Sequence, residues 1–251
     1  MSLRSLLIAV ALLSLVACAP KPVPLGGADL TRPALQLLLV VAEDWQYTET
    51  VLQRFERSSP DAAWARVGQP LPVNLGRSGL GWGRGLHGQA LGAGPVKREG
   101  DGRAPAGLFG LGVGFAQDPA EVGAARLPLL RTDATLFCVD DAASPQYNQI
   151  VQTGGKPAAW RSAEDMVRTD GQYRLGVFVR HNTDPVEPGA GSCIFLHIWP
   201  RQGVASSGCT SMAADDMLSL LRWLDADKGP VLAQLPRRDF ERLRSAWRLP
   251  D

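Results

Sequence analysis

Apolar residues open this chain in a run from Ser5 to Val16, behind a cationic start at Met1 to Arg4, and then recur in short bursts divided by glycine and proline. The first run is too short for a comfortable membrane span and has the layout of a processing signal, so it is set apart from the fold. Ala34 to Ala42 (ALQLLLVVA) is continuously apolar and predicts a buried strand; Thr48 to Arg57 carries a modest helical pattern, and Trp64 to Val73 reads as extended. Further strands are expected at Leu108 to Val113, Ala134 to Val139, Tyr173 to Arg180, Gly191 to Trp199 and Val231 to Leu235. Helical spacing returns late. Met217, Leu218, Leu221 and Leu224 predict a helix over Ser211 to Leu224 with Ser211 as its N-cap, stopped by Gly229-Pro230, and Arg237 to Trp247 reads as a short terminal helix. No internal repeat is present. The pattern describes a mainly β fold with a few helices.

Composition agrees, since 27 glycines and 19 prolines favour turns and strands over long helices. Leu75 to Gly94 is especially glycine-rich and includes Gly83-Arg84-Gly85-Leu86-His87-Gly88, formally a GxGxxG. A dinucleotide loop needs that pattern to open a helix after a strand, whereas here more glycine and then Pro95 follow. These glycines are read as turns or a close-approach loop. Lys97 to Arg103 is a charged turn that charge alone would assign to a solvated surface.

The first apolar run ends in Leu15-Val16-Ala17-Cys18, which resembles a bacterial lipobox. Residues 1–17 are therefore expected to be a lipoprotein signal peptide, with Cys18 acylated and residues 18–33 a Pro/Gly-rich tether. That leaves residues 34–251 for one well-cored domain. The 26 basic and 25 acidic residues nearly balance, which argues against a nucleic-acid partner. With Cys18 lipidated, Cys138, Cys193 and Cys209 remain, and an oxidising compartment pairs two of them. The odd cysteine reads as a reactive thiol, with intermolecular pairing as the competing account.

A thiol attacks as thiolate, so a nucleophilic cysteine needs a base within hydrogen-bond reach or a lowered pKa. In Cys193-Ile194-Phe195-Leu196-His197-Ile198-Trp199, period-two alternation puts His197 on the face of Phe195 and Cys193. The chain then turns and reaches Ser206-Ser207-Gly208-Cys209-Thr210 just before the predicted helix. A cysteine at a helix N-terminus gains from the dipole, and the backbone amides of Ser207, Gly208 and Cys209 are candidates for an oxyanion hole.

His197 followed by Gly208-Cys209, with Cys209 12 positions after the histidine, resembles the signature of the YkuD-type L,D-transpeptidases, and Arg77 to Gly83 and Lys97 to Gly107 resemble stretches of a divergent branch of that family. The likeness runs from about Val73 to about Leu235. It implies a YkuD-like β-sandwich or mixed-sheet catalytic domain, with Cys209 as nucleophile, His197 as general base and a main-chain carbonyl orienting the imidazole. It further implies peptidoglycan tetrapeptide stems as substrate and partner, a membrane attachment through the lipid anchor, and a periplasmic, outer-membrane location. One departure is Ser207, which stands where the family usually has a second histidine before Gly-Cys.

His181, Arg77 and Trp82 are possible substrate contacts, with loop capping as the alternative for His181 and a core role for Trp82. Cys138 and Cys193 are assigned to a structural disulfide, free buried thiols being the alternative. No cofactor is expected, and the histidines and cysteines lack metal-ligand spacing. Two rival functions stand beside transpeptidation: an L,D-carboxypeptidase or hydrolase that uses water, and a non-catalytic wall-binding lipoprotein.

Overall fold

The computed structural model describes residues 33–89 and 91–251 together with the backbone of residues 21–22. The expected signal peptide, Cys18 and most of the tether lie outside the described residues. In chain order the elements are β1 (Lys21–Pro22), β2 (Gln36–Ala42), β3 (Glu49–Glu56), β4 (Ala65–Asn74), β5 (Leu80–Trp82), β6 (Ala104–Ala116), α1 (Pro119–Val122), β7 (Leu129–Arg131), β8 (Leu136–Val139), β9 (Ile150–Gln152), β10 (Ala163–Asp165), β11 (Leu175–Val179), β12 (Phe195–Ile198), β13 (Thr210–Met212), α2 (Ala214–Trp223), β14 (Val231–Pro236) and α3 (Arg237–Leu243). The fold is mainly β, as the polar and apolar pattern predicts.

Of the two expected forms, sandwich or mixed sheet, the ladders make a mixed sheet, and it closes into a ring. Strands run β11-β12-β13-β4-β3-β2-β14-β6, and β6 pairs back onto β11 to shut the sheet. Closure leaves no open edge, the usual liability of a large sheet. β5 and β7 lie parallel to β6, and a second sheet, β1-β9-β8-β10, packs outside.

Burial on both faces explains the continuous apolar run of β2. Leu38, Val40 and Ala42 join the largest core cluster with Leu52 and Leu232, while Leu37 and Leu39 face the other way against Phe55 and Ala233. The same two-sidedness corrects the expectation of a helix at Thr48 to Arg57. Leu52 and Phe55 are three apart, which imitates helical spacing, but in β3 an odd separation puts them on opposite faces, each in its own cluster. Ladders to β2 and β4 then outweigh the weak local preference.

Between the ring and the second sheet lies a further cluster: Phe115, Leu136, Cys138, Ile150, Met166, Tyr173, Phe178, Cys193, Phe195 and Cys209. Cys138 on β8 and Cys193, just before β12, form a disulfide with Cα atoms 5.9 Å apart, tying the two sheets together beside the remaining thiol. Among the described residues, no helix is long and apolar enough to cross a membrane.

Candidate active site

β12 and β13 decide the geometry of the pair singled out in the sequence. They run parallel, with Leu196 opposite Thr210, His197 opposite Ser211 and Ile198 opposite Met212. Side chains alternate along each strand, so His197 and Ser211 share a face, and Cys209, two residues before Ser211, falls on it as well. A residue and its diagonal neighbour two positions along are about 7–8 Å apart at Cα. At rest the thiol donates to the Cys193 carbonyl, 3.6 Å away, rather than to the imidazole. Both side chains line one cleft of about 410 Å³, together with Ser211.

Cys209 does not begin a helix. It precedes β13, and α2 starts at Ala214 with Ala213 as a cap that makes no side-chain hydrogen bond. Ser211, expected as the N-cap, is a buried β13 residue. The correction has a physical reason: Thr210 to Met212 is drawn into the ring between β12 and β4, and the helix cannot start until the strand ends. The thiol therefore has no helix dipole to ionise it. Instead, burial pushes Cys209 up to about 12 and the nearby Glu164 adds to the rise, against a hydrogen bond from the Phe195 amide (3.3 Å to Sγ) and the charges of Lys97 and Arg168.

His197 is neutral for the matching reason. Burial pulls it down to about 4, opposed by hydrogen bonds to the backbone of Ile198 and of Gln172. Nδ1 lies 2.8 Å from the Ile198 carbonyl oxygen. Since a carbonyl only accepts, Nδ1 carries the proton and Nε2 holds the lone pair of a base. The edge of Tyr173 stacks against the imidazole with centroids 5.2 Å apart, fixing the ring.

The loop before Cys209 is tied by Ser206. Its hydroxyl donates to the Cys209 carbonyl at 2.6 Å and accepts from the Gly208 amide at 3.0 Å. Gly208 is thus removed from the expected oxyanion donors, leaving the amides of Ser207 and Cys209. Glycine is required at 208 on two counts: φ is +147°, and a Cβ would come 3.1 Å from the Arg103 carbonyl. Ser207 is exposed on the cleft rim.

The other proposed contacts divide. Arg77 lines the cleft. Trp82 and His181 do not: both are buried, Trp82 in the main core and His181 between loops, where Nδ1 accepts from the Arg84 amide at 3.2 Å and Nε2 meets the Ala190 carbonyl at 3.0 Å. His181 therefore has the capping role. The GxGxxG segment is a close-approach loop, because a Cβ at Gly85 would sit 2.4 Å from the Leu108 carbonyl and one at Gly83 2.8 Å from Phe109.

Several cleft residues carry no signal in the sequence. Glu164 accepts from the Tyr173 hydroxyl, and burial raises its pKa. Glu99 accepts from the Tyr147 hydroxyl and, at 2.6 Å, from Ser192. The charged turn Lys97 to Arg103 is not a plain solvated surface either: Asp101 accepts from Lys97 Nζ, Arg98 N and Arg103 N, folding the turn into the cleft wall. Among the described residues no cluster of three His, Cys, Asp or Glu side chains is placed to hold a metal ion.

Two buried imidazoles and one half-buried one make stability acid-sensitive. His197 is pulled down to about 4 and His181 to about 3, and His87 is lowered too, all chiefly by burial. Unfolded histidines titrate near 6.5, so below that value the unfolded chain binds more protons and the folded state loses ground as pH falls. The urea midpoint is expected to drop steadily between pH 7 and pH 4, by the equivalent of several kcal/mol at about 1.4 kcal/mol per pKa unit. A midpoint unchanged across that range contradicts the assignment of buried neutral histidines. No family model matches the chain, no curated protein matches it, and no solved structure matches it.

Proposed function

We propose that this chain is a cysteine acyltransferase of the bacterial cell envelope, acting on peptidoglycan tetrapeptide stems as a divergent L,D-transpeptidase of the YkuD-like kind. The observation that carries this reading is a thiol and a neutral imidazole on one face of two parallel strands, both opening on one cleft, with the imidazole held by a main-chain carbonyl. Export supports it from the sequence side: the lipobox-like segment at Cys18 implies an outer-membrane lipoprotein facing the wall, and a disulfide suits an oxidising compartment.

The sequence of steps follows from the protonation states. A thiol near 12 beside an imidazole near 4 does not rest as an ion pair, so the proton moves as the bond forms. His197 Nε2 takes the proton of Cys209 while sulfur adds to the carbonyl carbon of the third stem residue. The carbonyl π pair passes to oxygen, where the Cys209 amide donates to it. Collapse re-forms the C=O and expels the amine of the terminal D-alanine, which takes the proton from His197. An incoming amine then repeats the steps in reverse and frees the thiol.

Incubation of the full chain with a tetrapeptide stem, followed by mass measurement, tests this. The expected result is an adduct on Cys209 equal to the stem minus D-alanine, and crosslinked dimers when a second stem is supplied. Shortened stems without crosslinks would move the acceptor from amine to water, and a chain that never gains an adduct sinks the acyltransferase reading.

A further inference from the structure

Lys97 is a charged residue with 4 % of its surface exposed, and the steps above do not use it. Its ammonium donates to Asp101 Oδ1 at 2.7 Å and to the Arg98 carbonyl at 2.8 Å, which accounts for two of its three protons. The stem lies between two stretches of backbone that carry no side chain. A Cβ at Gly191 would come 3.1 Å from Lys97 Cγ and Cε, and one at Gly208 would come 3.7 Å from Nζ. Gly208 precedes Cys209, and Lys97, Gly208 and Cys209 line the same cleft. Stability is a poor reason for this arrangement, because exchanging a buried ion pair for packed apolar groups is often neutral or favourable.

We propose that Lys97 is the fixed positive charge of the reaction centre, held by Asp101 against the Gly208–Cys209 loop so that negative charge on the Cys209 sulfur and on the substrate oxyanion is stabilised as it forms. In the attack, electrons move from sulfur to carbonyl oxygen and the proton moves to His197. Lys97 neither gives nor takes a proton; it supplies charge in a site where water is scarce. Besides Lys97, the groups that act on the thiol are Glu164 from β10, Arg168 from the loop after it, and Tyr173, and His197 from β12 lines the same cleft. Glu164 opposes a thiolate, and Lys97 and Arg168 favour it. Asp101 partly cancels Lys97, so the two members of the pair act on Cys209 with opposite sign.

That opposition supplies the test. Alkylation of Cys209 by iodoacetamide at pH 9 is followed by mass in the full chain, with thermal melts confirming the fold. Alkylation follows the thiolate fraction, and one pKa unit is tenfold in that fraction. Lys97→Met combined with Asp101→Asn is expected to slow alkylation about tenfold, whereas Lys97→Arg, which keeps the charge, stays within about threefold of the parent. Asp101→Asn alone is expected to speed alkylation, because it uncovers the Lys97 charge. A merely structural role loosens the loop in either case and gives no opposite signs.

A folded Lys97→Met/Asp101→Asn chain that alkylates at the parent rate overturns the proposal. If that chain does not fold, the sign for Asp101→Asn decides, and slower alkylation overturns it. The oxyanion half of the inference rests on the acyl-transfer reading, but alkylation needs no acyl donor. A parent whose alkylation depends on Lys97 yet which is never acylated removes that reading and leaves the charge assignment standing.

Discussion

Replacing Cys209 with alanine is expected to abolish acylation of the chain by tetrapeptide stems and by carbapenems while leaving it folded. Among the described residues Cys209 is the one cysteine outside the disulfide, and it opens on the cleft beside His197. Without sulfur no other group there has both the nucleophilicity and the neighbouring base; Ser211 is buried on the same face, but a hydroxyl is far harder to ionise. The structural loss is small. Sγ accepts from the Phe195 amide and approaches the Cys193 carbonyl at 3.6 Å, so truncation strands one amide at about 1–3 kcal/mol. That is modest beside a stability of about 5–15 kcal/mol. Intact-mass measurement after incubation reads the outcome. An alanine variant that acquires the same adduct as the parent would place the nucleophile elsewhere, with Ser207 and Ser211 the first to examine.

His197→Gln is expected to slow acylation by about 10² to 10⁴-fold, the range that a positioned general base supplies. Glutamine can still donate to the Ile198 carbonyl, but it cannot take a proton, so the substitution separates chemistry from packing. The pH profile gives a sharper readout than the rate. In the parent the base is competent once it is neutral, so acylation should rise through about pH 4 and then level off, although the thiol does not ionise until about 12. In the variant only the thiolate reacts, and the rate should climb with pH without levelling through the neutral range. A parent profile that climbs in the same way would mean that His197 does not take the proton. A profile that levels only near pH 7 or above would mean that the imidazole is charged at rest, contrary to its burial.

The pair was legible because its evidence is local. A histidine on an apolar strand, and a glycine before a cysteine, carry their chemistry in residue type and order, and the export that the first residues lead one to expect narrows the role of an unpaired cysteine. Its surroundings were less so. Lys97 to Arg103 has the composition of a solvated turn, and counting charges cannot reveal that Asp101 gathers two amides and an ammonium into the cleft wall. Glu164 lies on β10, where little periodicity marks a strand, and reaches the site through a hydrogen bond to a tyrosine nine residues away. Ser211 looked like a cap because hydroxyl residues before apolar helices usually are; a neighbouring strand claimed its backbone first.

By itself the sequence determined the β character of the fold, the buried run of β2, the close-approach glycines, and the identity and order of His197, Gly208 and Cys209. These depend on alternation, on backbone freedom and on side-chain chemistry, all of which are properties of neighbouring residues. Only the tertiary structure decided that the sheet closes on itself, that β12 and β13 run parallel in a register that brings His197 and Cys209 onto one face, and that burial keeps both neutral. Ring closure, register and desolvation arise from contacts between residues far apart in the chain. The candidate nucleophile could be named from its neighbours in sequence, but its protonation state is set by its neighbours in space.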